Sequence, residues 1–363
     1  MNPAPPTLGA EPQSPTARRP RLTQGLLGLV VLVVLAFVLD VALGPVRIPV
    51  LTVARHLLGH GAAADTATAF IVHQIRLPKA LTALAVGSGL GVSGLQMQTL
   101  FRNPLAGPSA LGLTAGAGLG VALVMLTGGG GASALAVRQL GLAGSWALVL
   151  AATAGAASVM ALVLALAARL RDNVVLLIVG LMVASVTGAI VSLWQYFSAP
   201  EQIQDYLLWT FGGLGGVTGP HLAVLATVVA LGLGLALASA KPLNALLLGE
   251  NYARSLGLRV RRSRTLIILS TSLLAGGVTA FCGPIGFVGI AVPHLTRALL
   301  GTADHRILLP GACLLGAALV LACDCLAQLP GSQITLPINV VTSLLGAPVV
   351  LWVVLRRPIR AAA

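Results

Sequence analysis

Ten apolar runs, separated by short segments that carry most of the charge, limit the folds open to this chain of 363 residues. Only 9% of the residues are charged, whereas a soluble domain uses about 25% charged residues to cover its surface. A membrane-spanning helix needs roughly 20 predominantly apolar residues. We therefore predict an all-α polytopic membrane protein with about ten spans. The runs lie near residues 25–43, 80–100, 109–127, 145–168, 174–197, 221–240, 265–282, 285–300, 307–327 and 337–355.

The net charge of +13 is unevenly distributed between the two sides of the predicted membrane. With a cytoplasmic N-terminus and ten spans, 17 of the 22 Lys and Arg residues lie in cytoplasmic segments. Such an excess is typical of cytoplasmic loops, so we predict that both termini are cytoplasmic. Membrane lipids and topology explain this charge, and we expect no nucleic acid as a partner. Outside a ten-helix domain at 25–357, we predict a disordered tail at 1–24 and a short tail at 358–363.

Residues 241–264 form a basic segment between two apolar runs, and we place it in the cytoplasm by the same rule. We predict a helix from Ala245 to about Leu256, with Asn244 capping its start and Gly257 its end. A short helix with a smooth face and charged flanks can dock into a partner's groove, or it can simply lie at the membrane surface. We expect a Glu250–Arg254 ion pair on the wet side. The small apolar strip is expected to comprise Ala245, Gly249, Ala253 and Leu256.

The second span is preceded by Arg76-Leu77-Pro78-Lys79, where Pro78 suits the first turn of a helix. Two cations on the outer side run against the general charge trend. They either extend to lipid headgroups or form ion pairs with an acidic external partner. The same span is closed by two prolines and a glycine, which predict a tight cytoplasmic turn containing Arg102, Asn103 and Pro104.

Glycines at four-residue spacing predict helix faces that pack closely within a bundle. Gly87 and Gly91 form one such pair, and Gly112, Gly116 and Gly120 form a second set.

A second glycine-rich stretch lies between the seventh and eighth apolar runs and predicts a break in helical structure. Broken helices at membrane depth occur where they line a cavity or are buried by protein. We expect His294 to be a packed residue at the cytoplasmic edge. This predicted gate comprises Gly283, Pro284, Gly286, Phe287, Gly289, Pro293 and His294.

The remaining polar residues in or near the apolar runs give few site predictions. Asp324 is the one carboxylate that we expect well inside a span, where it either bonds another helix or has a functional role. None of the four cysteines has C-x-x-C spacing, so we predict reduced, structural thiols and no metal site. In the outer loops we expect an amphipathic piece at 50–58 and interfacial aromatics. The cysteines are Cys282, Cys313, Cys323 and Cys325, and the aromatics are Tyr206, Trp209 and Phe211.

The chain has no G-x-x-x-x-G-K-[ST] motif, so we predict that any ATP hydrolysis occurs on another subunit. It also lacks the series of acidic and His residues through several spans that a proton-coupled carrier needs. We therefore expect no catalytic residues and no cofactor bound by this chain.

Four motifs, in order, resemble those of the FecCD family of permease subunits, which belong to ABC importers of ferric siderophores, haem and vitamin B12. They are RLPK, FRNPLAGPSALGLTAGAGLG, LLLGENYARSLGLRVRRSR and GPIGFVGIAVPHLTRALLG, within a resemblance that covers about 25–357. The resemblance implies a homodimer or pseudo-dimer of ten-helix subunits around a central path. It also implies two ATPase subunits that bind Mg-ATP in the cytoplasm and a substrate-binding protein outside.

The resemblance also assigns roles to particular residues. Arg76 and Lys79 stand where family members present cations to the binding protein, although Lys79 replaces the more usual Arg and loses its bidentate fork. The segment that contacts the ATPase is similar to the coupling helix of the family. Its residues are Leu248, Gly249, Glu250, Ala253, Arg254, Leu256, Gly257 and Arg259.

We therefore predict a permease subunit of an ATP-driven importer in the cell inner membrane. An iron-siderophore complex is the first expected substrate, with haem or cobalamin as alternatives. A zinc or manganese ABC permease, a stand-alone secondary carrier and a membrane-embedded metal or quinone enzyme are the rival functions. A carrier would work without an ATPase, whereas a zinc permease would give Cys323 and Cys325 a role.

Overall fold

The computed structural model describes residues 15–46, 48–57, 66–126, 141–167, 173–217, 219–328 and 335–356. Within these ranges all regular structure is helical, which confirms the predicted fold class. The helices are α1 (Pro15–Ala42), α2 (Val50–Leu57), α3 (Thr66–Phe70), a π-helical turn (Ile71–Arg76), α4 (Leu77–Leu100), α5 (Leu113–Leu126), α6 (Gly141–Ala167), α7 (Asn173–Tyr196), α8 (Pro200–Thr210), α9 (Pro220–Ala238), α10 (Ala240–Leu247), α11 (Glu250–Ser255), α12 (Val260–Cys282), α13 (Val288–Leu300), α14 (His305–Ala327) and α15 (Ile338–Arg356).

The predicted apolar runs correspond to apolar helices throughout the described part of the chain. Seven helices are long and apolar enough to cross a membrane, and three shorter ones occupy the remaining runs. The side of the membrane on which the termini lie stays a prediction. The seven are Leu22–Ala42, Thr66–Leu100, Leu142–Leu166, Ile178–Tyr196, Pro220–Ala238, Val260–Cys282 and His305–Ala327, and the shorter three are Leu113–Leu126, Val288–Leu300 and Ile338–Leu351.

The first helix begins earlier than the apolar pattern predicts. It starts at Pro15, so the disordered tail expected over residues 1–24 is too long. Basic residues such as Arg18, Arg19 and Arg21 have good helix propensity, and the helix extends through them beyond the apolar span, which begins at Leu22. Residues 1–14 and the tail expected at 358–363 lie outside the described residues.

Helix α4 forms the centre of the bundle. Nearly every residue from Thr82 to Thr99 is buried, and the helix contacts α9, α12, α13 and α14. Small residues make this possible because they let neighbouring backbones approach closely. A side chain on Gly87 would overlap the carbonyl of Gly316, and one on Gly91 would lie 2.7 Å from the carbonyl oxygen of Ala312.

The second glycine set is confirmed in part. Gly116 and Gly120 lie in α5 and pack against the backbone of Gly155 and Ala151 in α6. Gly112 is an exception because it precedes α5 and has a φ of 79°. It therefore serves a turn that favours glycine rather than the face of a helix.

The connection before α4, which we predicted on the outer side, is more helical than expected. The amphipathic piece is confirmed as α2, but residues from Thr66 onward continue without a break into α4. Pro78 lies in the first turn of α4, as expected, but α4 continues directly from the preceding helical turns. Because proline has no N–H to donate, the preceding turn widens, and the Leu77 N–H bonds the carbonyl of Val72.

The second connection predicted on the outer side contains α8, and its three aromatic residues are not all exposed as expected. Tyr206 is buried, with its ring centroid 5.3 Å from that of Trp209. The Trp209 indole donates a hydrogen bond to the carbonyl of Ala280 at 3.2 Å. Only Phe211 of the three is exposed, because α8 folds back on α5, which buries Tyr206 and leaves Trp209 half-buried.

Candidate functional site

The basic segment after α9 forms two short helices rather than the single helix expected from Ala245 to Leu256. Helix α10 ends at Leu247, and α11 begins at Glu250. Gly249 separates them with a φ of 105°, a backbone conformation that side chains disfavour. Gly257, with a φ of 78°, follows the end of α11 and confirms the predicted C-terminal stop.

Asn244 lies inside α10 and does not cap a helix, which corrects the predicted role. Its side-chain amide donates to the Asp304 Oδ1 at 2.6 Å, and its carbonyl oxygen accepts from the His305 N–H at 2.8 Å. These bonds tie the basic segment to the start of α14. Asn244 therefore connects a surface segment to a membrane-spanning helix.

Asp304 caps α14 by accepting a hydrogen bond from the Arg306 N–H at 2.9 Å. Partial burial opposes ionisation of this carboxyl group. The hydrogen bonds from the Arg306 N–H and the Asn244 amide outweigh it and hold the pKa of Asp304 below its usual range. The connection between α10 and α14 is therefore charge-assisted at neutral pH.

The exposed face of the basic segment differs from the predicted strip. Ala253 is fully buried against the bundle, so it cannot belong to a docking face. Leu248, Tyr252 and Leu256 are instead 64%, 50% and 62% exposed and recur every four residues. The sequence prediction missed Tyr252, although this spacing is visible in the sequence. Three exposed apolar side chains on a water-side segment are typical of an interaction surface.

The charged flank of the segment is organised around Glu250. Its carboxylate lies 3.7 Å from the Arg254 guanidinium, which confirms the predicted i, i+4 pair. Glu250 also pairs closely with Arg264 at the start of α12, a contact that the sequence did not indicate. Arg259 is exposed between the two helices. The ion pair between Glu250 and Arg264 therefore holds α11 against the start of α12.

The predicted turn after α4 is confirmed, and it lies beside the basic segment. The Asn103 side-chain oxygen accepts from the Leu105 N–H at 2.9 Å, and the Pro104 carbonyl accepts from the His294 Nε2 at 2.8 Å. His294 is thus a packed residue that joins the turn to α13, as expected. A Cβ built on Gly249 would have the Arg102 guanidinium as its neighbour at 3.6 Å.

The glycine-rich stretch between α12 and α13 is non-helical, as predicted. Helix α12 ends at Cys282, Gly283 has a φ of 72°, and α13 begins at Val288 after Phe287. The Gly286 N–H donates to the Asn339 side-chain oxygen at 3.0 Å. The sequence prediction missed Asn339, whose signal is an amide within an otherwise apolar run. The other predicted gate residues, Pro284, Gly289 and Pro293, lie in this break or in the first turns of α13.

At the opposite end of α4, a buried ion cluster involves one residue that the sequence prediction passed over. Lys79 Nζ lies 3.0 Å from Asp324 Oδ2. The Gln328 amide donates to both Asp324 Oδ2 and Asp40 Oδ1, at 2.9 Å each. Asp324 is therefore not the only carboxylate inside a span, because Asp40 lies near the end of α1 and is 3% exposed. In the sequence, the only indication of this role was the position of Asp40 at the edge of the first apolar run.

Arg76 is buried and engaged within the subunit. Its guanidinium donates to the carbonyls of Val41 at 3.1 Å and Ala42 at 2.8 Å, and also to that of Val46. The carbonyls of Val41 and Ala42 are at the end of α1, where they have no partner within that helix, and Val46 lies in the connection that follows. Both cations of the RLPK motif therefore have internal partners, and contact with an external protein would require each to exchange them. The docking role stays a prediction.

Within the described ranges, no group of three or more His, Cys, Asp or Glu side chains is arranged to hold a metal ion. All four cysteines are free thiols. Cys325 donates to Asp40 Oδ1 at 3.5 Å, so it belongs to the ion cluster.

Comparisons with known proteins agree with this architecture. The model of the FecCD transport family matches residues 32–356. The vitamin B12 import system permease protein BtuC of Salmonella paratyphi A is 38% identical over 285 residues, which cover 78% of this chain and 83% of that protein. Its counterpart from Salmonella typhi is 37% identical over the same shares. A solved structure described as an inward-facing conformation of a metal-chelate type ABC transporter has a TM-score of 0.75, 28% identity, and coverage of 93% of this chain and 100% of that one.

Proposed function

Because the chain belongs to the FecCD transport family, as a permease subunit of an ABC importer, we propose that it carries a metal chelate of the corrinoid class across the membrane. The subunit is a multi-pass protein of the inner membrane, and ATP hydrolysis belongs to a separate subunit. This family membership disfavours the stand-alone carrier, the zinc or manganese permease and the membrane enzyme considered above.

The choice of substrate class rests on the relatives that are named for vitamin B12 import. One of them is 38% identical to this chain over most of both sequences. The iron-siderophore preference inferred from the motifs has no comparable support. A structural neighbour described as metal-chelate type is compatible with either ligand. Uptake into vesicles that contain the subunit, its ATPase and its binding protein tests this choice directly. We expect ATP-dependent accumulation of labelled cyanocobalamin, and transport of a ferric siderophore or haemin alone would overturn it.

The exposed face formed by Leu248, Tyr252 and Leu256 is the surface that we propose for the ATPase, which binds Mg-ATP. Three features support this role: the face is apolar, ion pairs at Glu250 hold it in place, and Asn244 connects it to α14. Movement of a bound ATPase would reach the spans through this connection. The remaining coupling residues either shape the segment, like Gly249, or flank it, like Arg254.

The double variant Tyr252→Asp/Leu256→Asp tests this surface by placing two charges in an apolar contact. We expect loss of ATPase co-purification and of stimulated ATP hydrolysis in the reconstituted importer. Asn251→Asp is the matched control because it adds a charge at an exposed position of α11 outside the apolar face. Unchanged co-purification with the double variant would remove the segment from the ATPase interface.

For the outer side we propose that Lys79 exchanges Asp324 for an acidic residue of the substrate-binding protein. The pair is accessible to such an exchange because the Lys79 side chain is 20% exposed, whereas that of Asp324 is 3% exposed. Electrostatic contacts of this kind weaken with salt. Asp324→Asn should free Lys79 and strengthen capture of the binding protein, and Lys79→Gln should weaken it. Arg55→Gln removes an exposed cation from α2 and serves as the charge control.

If Lys79→Gln and Arg55→Gln weaken capture equally, then general surface charge and not this pair governs docking. The second permease copy that the family architecture implies is part of the same proposal. Crosslinking of the assembled importer would establish whether the partner is identical to this chain.

A further inference from the structure

A cleft of about 920 Å³ opens beside the basic start of α12. The apolar ATPase face formed by Leu248, Tyr252 and Leu256 does not line it, although Arg254 and Arg259, which flank that face, do. The charged wall of the cleft consists entirely of arginines. Its other wall is apolar and belongs to the ends of two membrane-spanning helices, with Ala161, Leu164 and Ala165 from α6 and Ile268 from α12. The arginines are Arg254, Arg259, Arg261, Arg262 and Arg264.

The cleft keeps a strong positive charge after its internal ion pairs are considered. Glu250 is the one carboxylate paired with these arginines in the described residues, and it contacts only Arg264 and Arg254. Arg261 and Arg262 are exposed. The Arg264 Nε is buried and has no hydrogen-bond partner. Several guanidinium groups around one cavity match the oxygens of a phosphate group, which they bind in a bidentate manner.

The apolar wall selects among the possible anions. Leu164 and Ala165 lie in the last turn of the span Leu142–Leu166, and Ile268 lies two turns into the span Val260–Cys282. The cleft therefore crosses the boundary between the membrane interior and water. A free phosphate would not use such a wall, and a water-soluble protein would not reach along it. We infer that this cleft binds an anionic phospholipid, with its phosphate against the arginines and its first methylene groups along α6 and α12.

The binding preference of the full chain tests this site. The purified protein is exchanged into micelles with equal amounts of phosphatidylglycerol and phosphatidylcholine, and retained lipid is measured by native mass spectrometry. We expect preferential retention of phosphatidylglycerol, and an approximately tenfold loss of that preference in Arg261→Gln/Arg262→Gln. The control Lys241→Gln/Arg306→Gln removes two exposed cations from the same end of the bundle and should keep the preference.

Three results of this experiment would each overturn the proposal. Equal retention of the two lipids by the wild-type protein would exclude a headgroup site. Displacement of the lipid by millimolar inorganic phosphate would make the cleft a simple anion site. An unchanged lipid preference in Arg261→Gln/Arg262→Gln, together with loss of ATPase binding, would assign the arginines to the ATPase.

A measurement on the wild-type protein keeps the test independent of the folding of any variant. A photoreactive phosphatidylglycerol should label peptides that contain Leu164 or Ile268. Labelling spread evenly over the lipid-facing helices, with no enrichment in these peptides, would also overturn the assignment.

Discussion

Lys79 and Asp324 join α4 to α14 through an ion pair of 3.0 Å between Nζ and Oδ2, at the end of the bundle opposite the basic segment. Because Asp324 is almost completely buried, removing its cation leaves a charge with only hydrogen-bond partners. We expect Lys79→Met to lower the free energy of unfolding by about 3 kcal/mol, as for other broken buried pairs. Thermal unfolding in detergent, followed by the loss of soluble protein, measures this change.

The double variant Lys79→Met/Asp324→Asn provides the control for this prediction. It removes both charges, so it should recover most of the stability that Lys79→Met loses. The amide can still accept the hydrogen bond from Gln328. If Lys79→Met unfolds at the wild-type temperature, the ion pair does not contribute to the stability of the isolated subunit.

The close contact of Gly87 with Gly316 leads to a second prediction. A methyl group on Gly87 would overlap the carbonyl of Gly316, and the backbone cannot move aside as a flexible side chain could. We expect Gly87→Ala to reduce the free energy of unfolding by about 2 kcal/mol through overpacking. Gly234→Ala is the matched control, because that glycine also lies in a span but has nothing within 4 Å of its would-be Cβ. Equal unfolding temperatures for the two variants would contradict the prediction.

Much of the fold follows from local patterns in the sequence. The apolar runs located the spans, and the four-residue glycine spacing located the contact of α4 at Gly87 and Gly91. Start and stop signals were also visible, as at Gly257. These properties depend on residues that are near neighbours in the chain. The fold class could therefore be predicted before the structure was known.

The parts that could not be predicted depend on contacts between distant segments. Asn244 has the residue type of a helix cap, but Asp304 and His305 engage its side chain across the bundle. Asp40 and Arg76 acquire their partners only when α1 packs against α4 and α14. Local propensity cannot indicate such partners, because tertiary contacts outweigh it. The candidate site was thus correct in its segments and incomplete in its connections.

The carboxyl group of Asp304 gives a prediction about pH. Its pKa is lowered in the folded protein because the hydrogen bonds from Arg306 and Asn244 outweigh the effect of burial. A lowered pKa contributes stability above the unfolded pKa of about 3.9, and this contribution is lost as the pH falls through the folded value. We therefore expect Asp304→Asn to be less stable than the wild type at pH 6 to 7. The difference should shrink as the pH falls below about 4.

Unfolding temperatures of both proteins across this pH range check the sign. Arg306→Gln keeps the backbone N–H that donates to Asp304 but removes a positive charge that also lowers the pKa of this carboxyl group, so it should retain most, and not all, of the pH dependence. A difference between wild type and Asp304→Asn that grows on acidification would show that burial, not hydrogen bonding, dominates at this carboxyl group.

The bond between Gly286 and Asn339 gives the last prediction, which concerns the non-helical stretch between α12 and α13. The Gly286 N–H donates to the Asn339 side chain at 3.0 Å. We expect Asn339→Ala to destabilise the subunit by about 1–3 kcal/mol, the usual cost of an unsatisfied partly buried N–H group. Amide hydrogen exchange should accelerate locally at residues 283–287.

Asn339→Asp retains an acceptor oxygen and should restore protection, whereas Ser343→Ala removes a neighbouring hydroxyl and should leave exchange unchanged. Slow exchange in Asn339→Ala would mean that packing around Phe287 alone holds the stretch in place, since Gly346 packs so closely that a Cβ there would overlap the Phe287 Cβ.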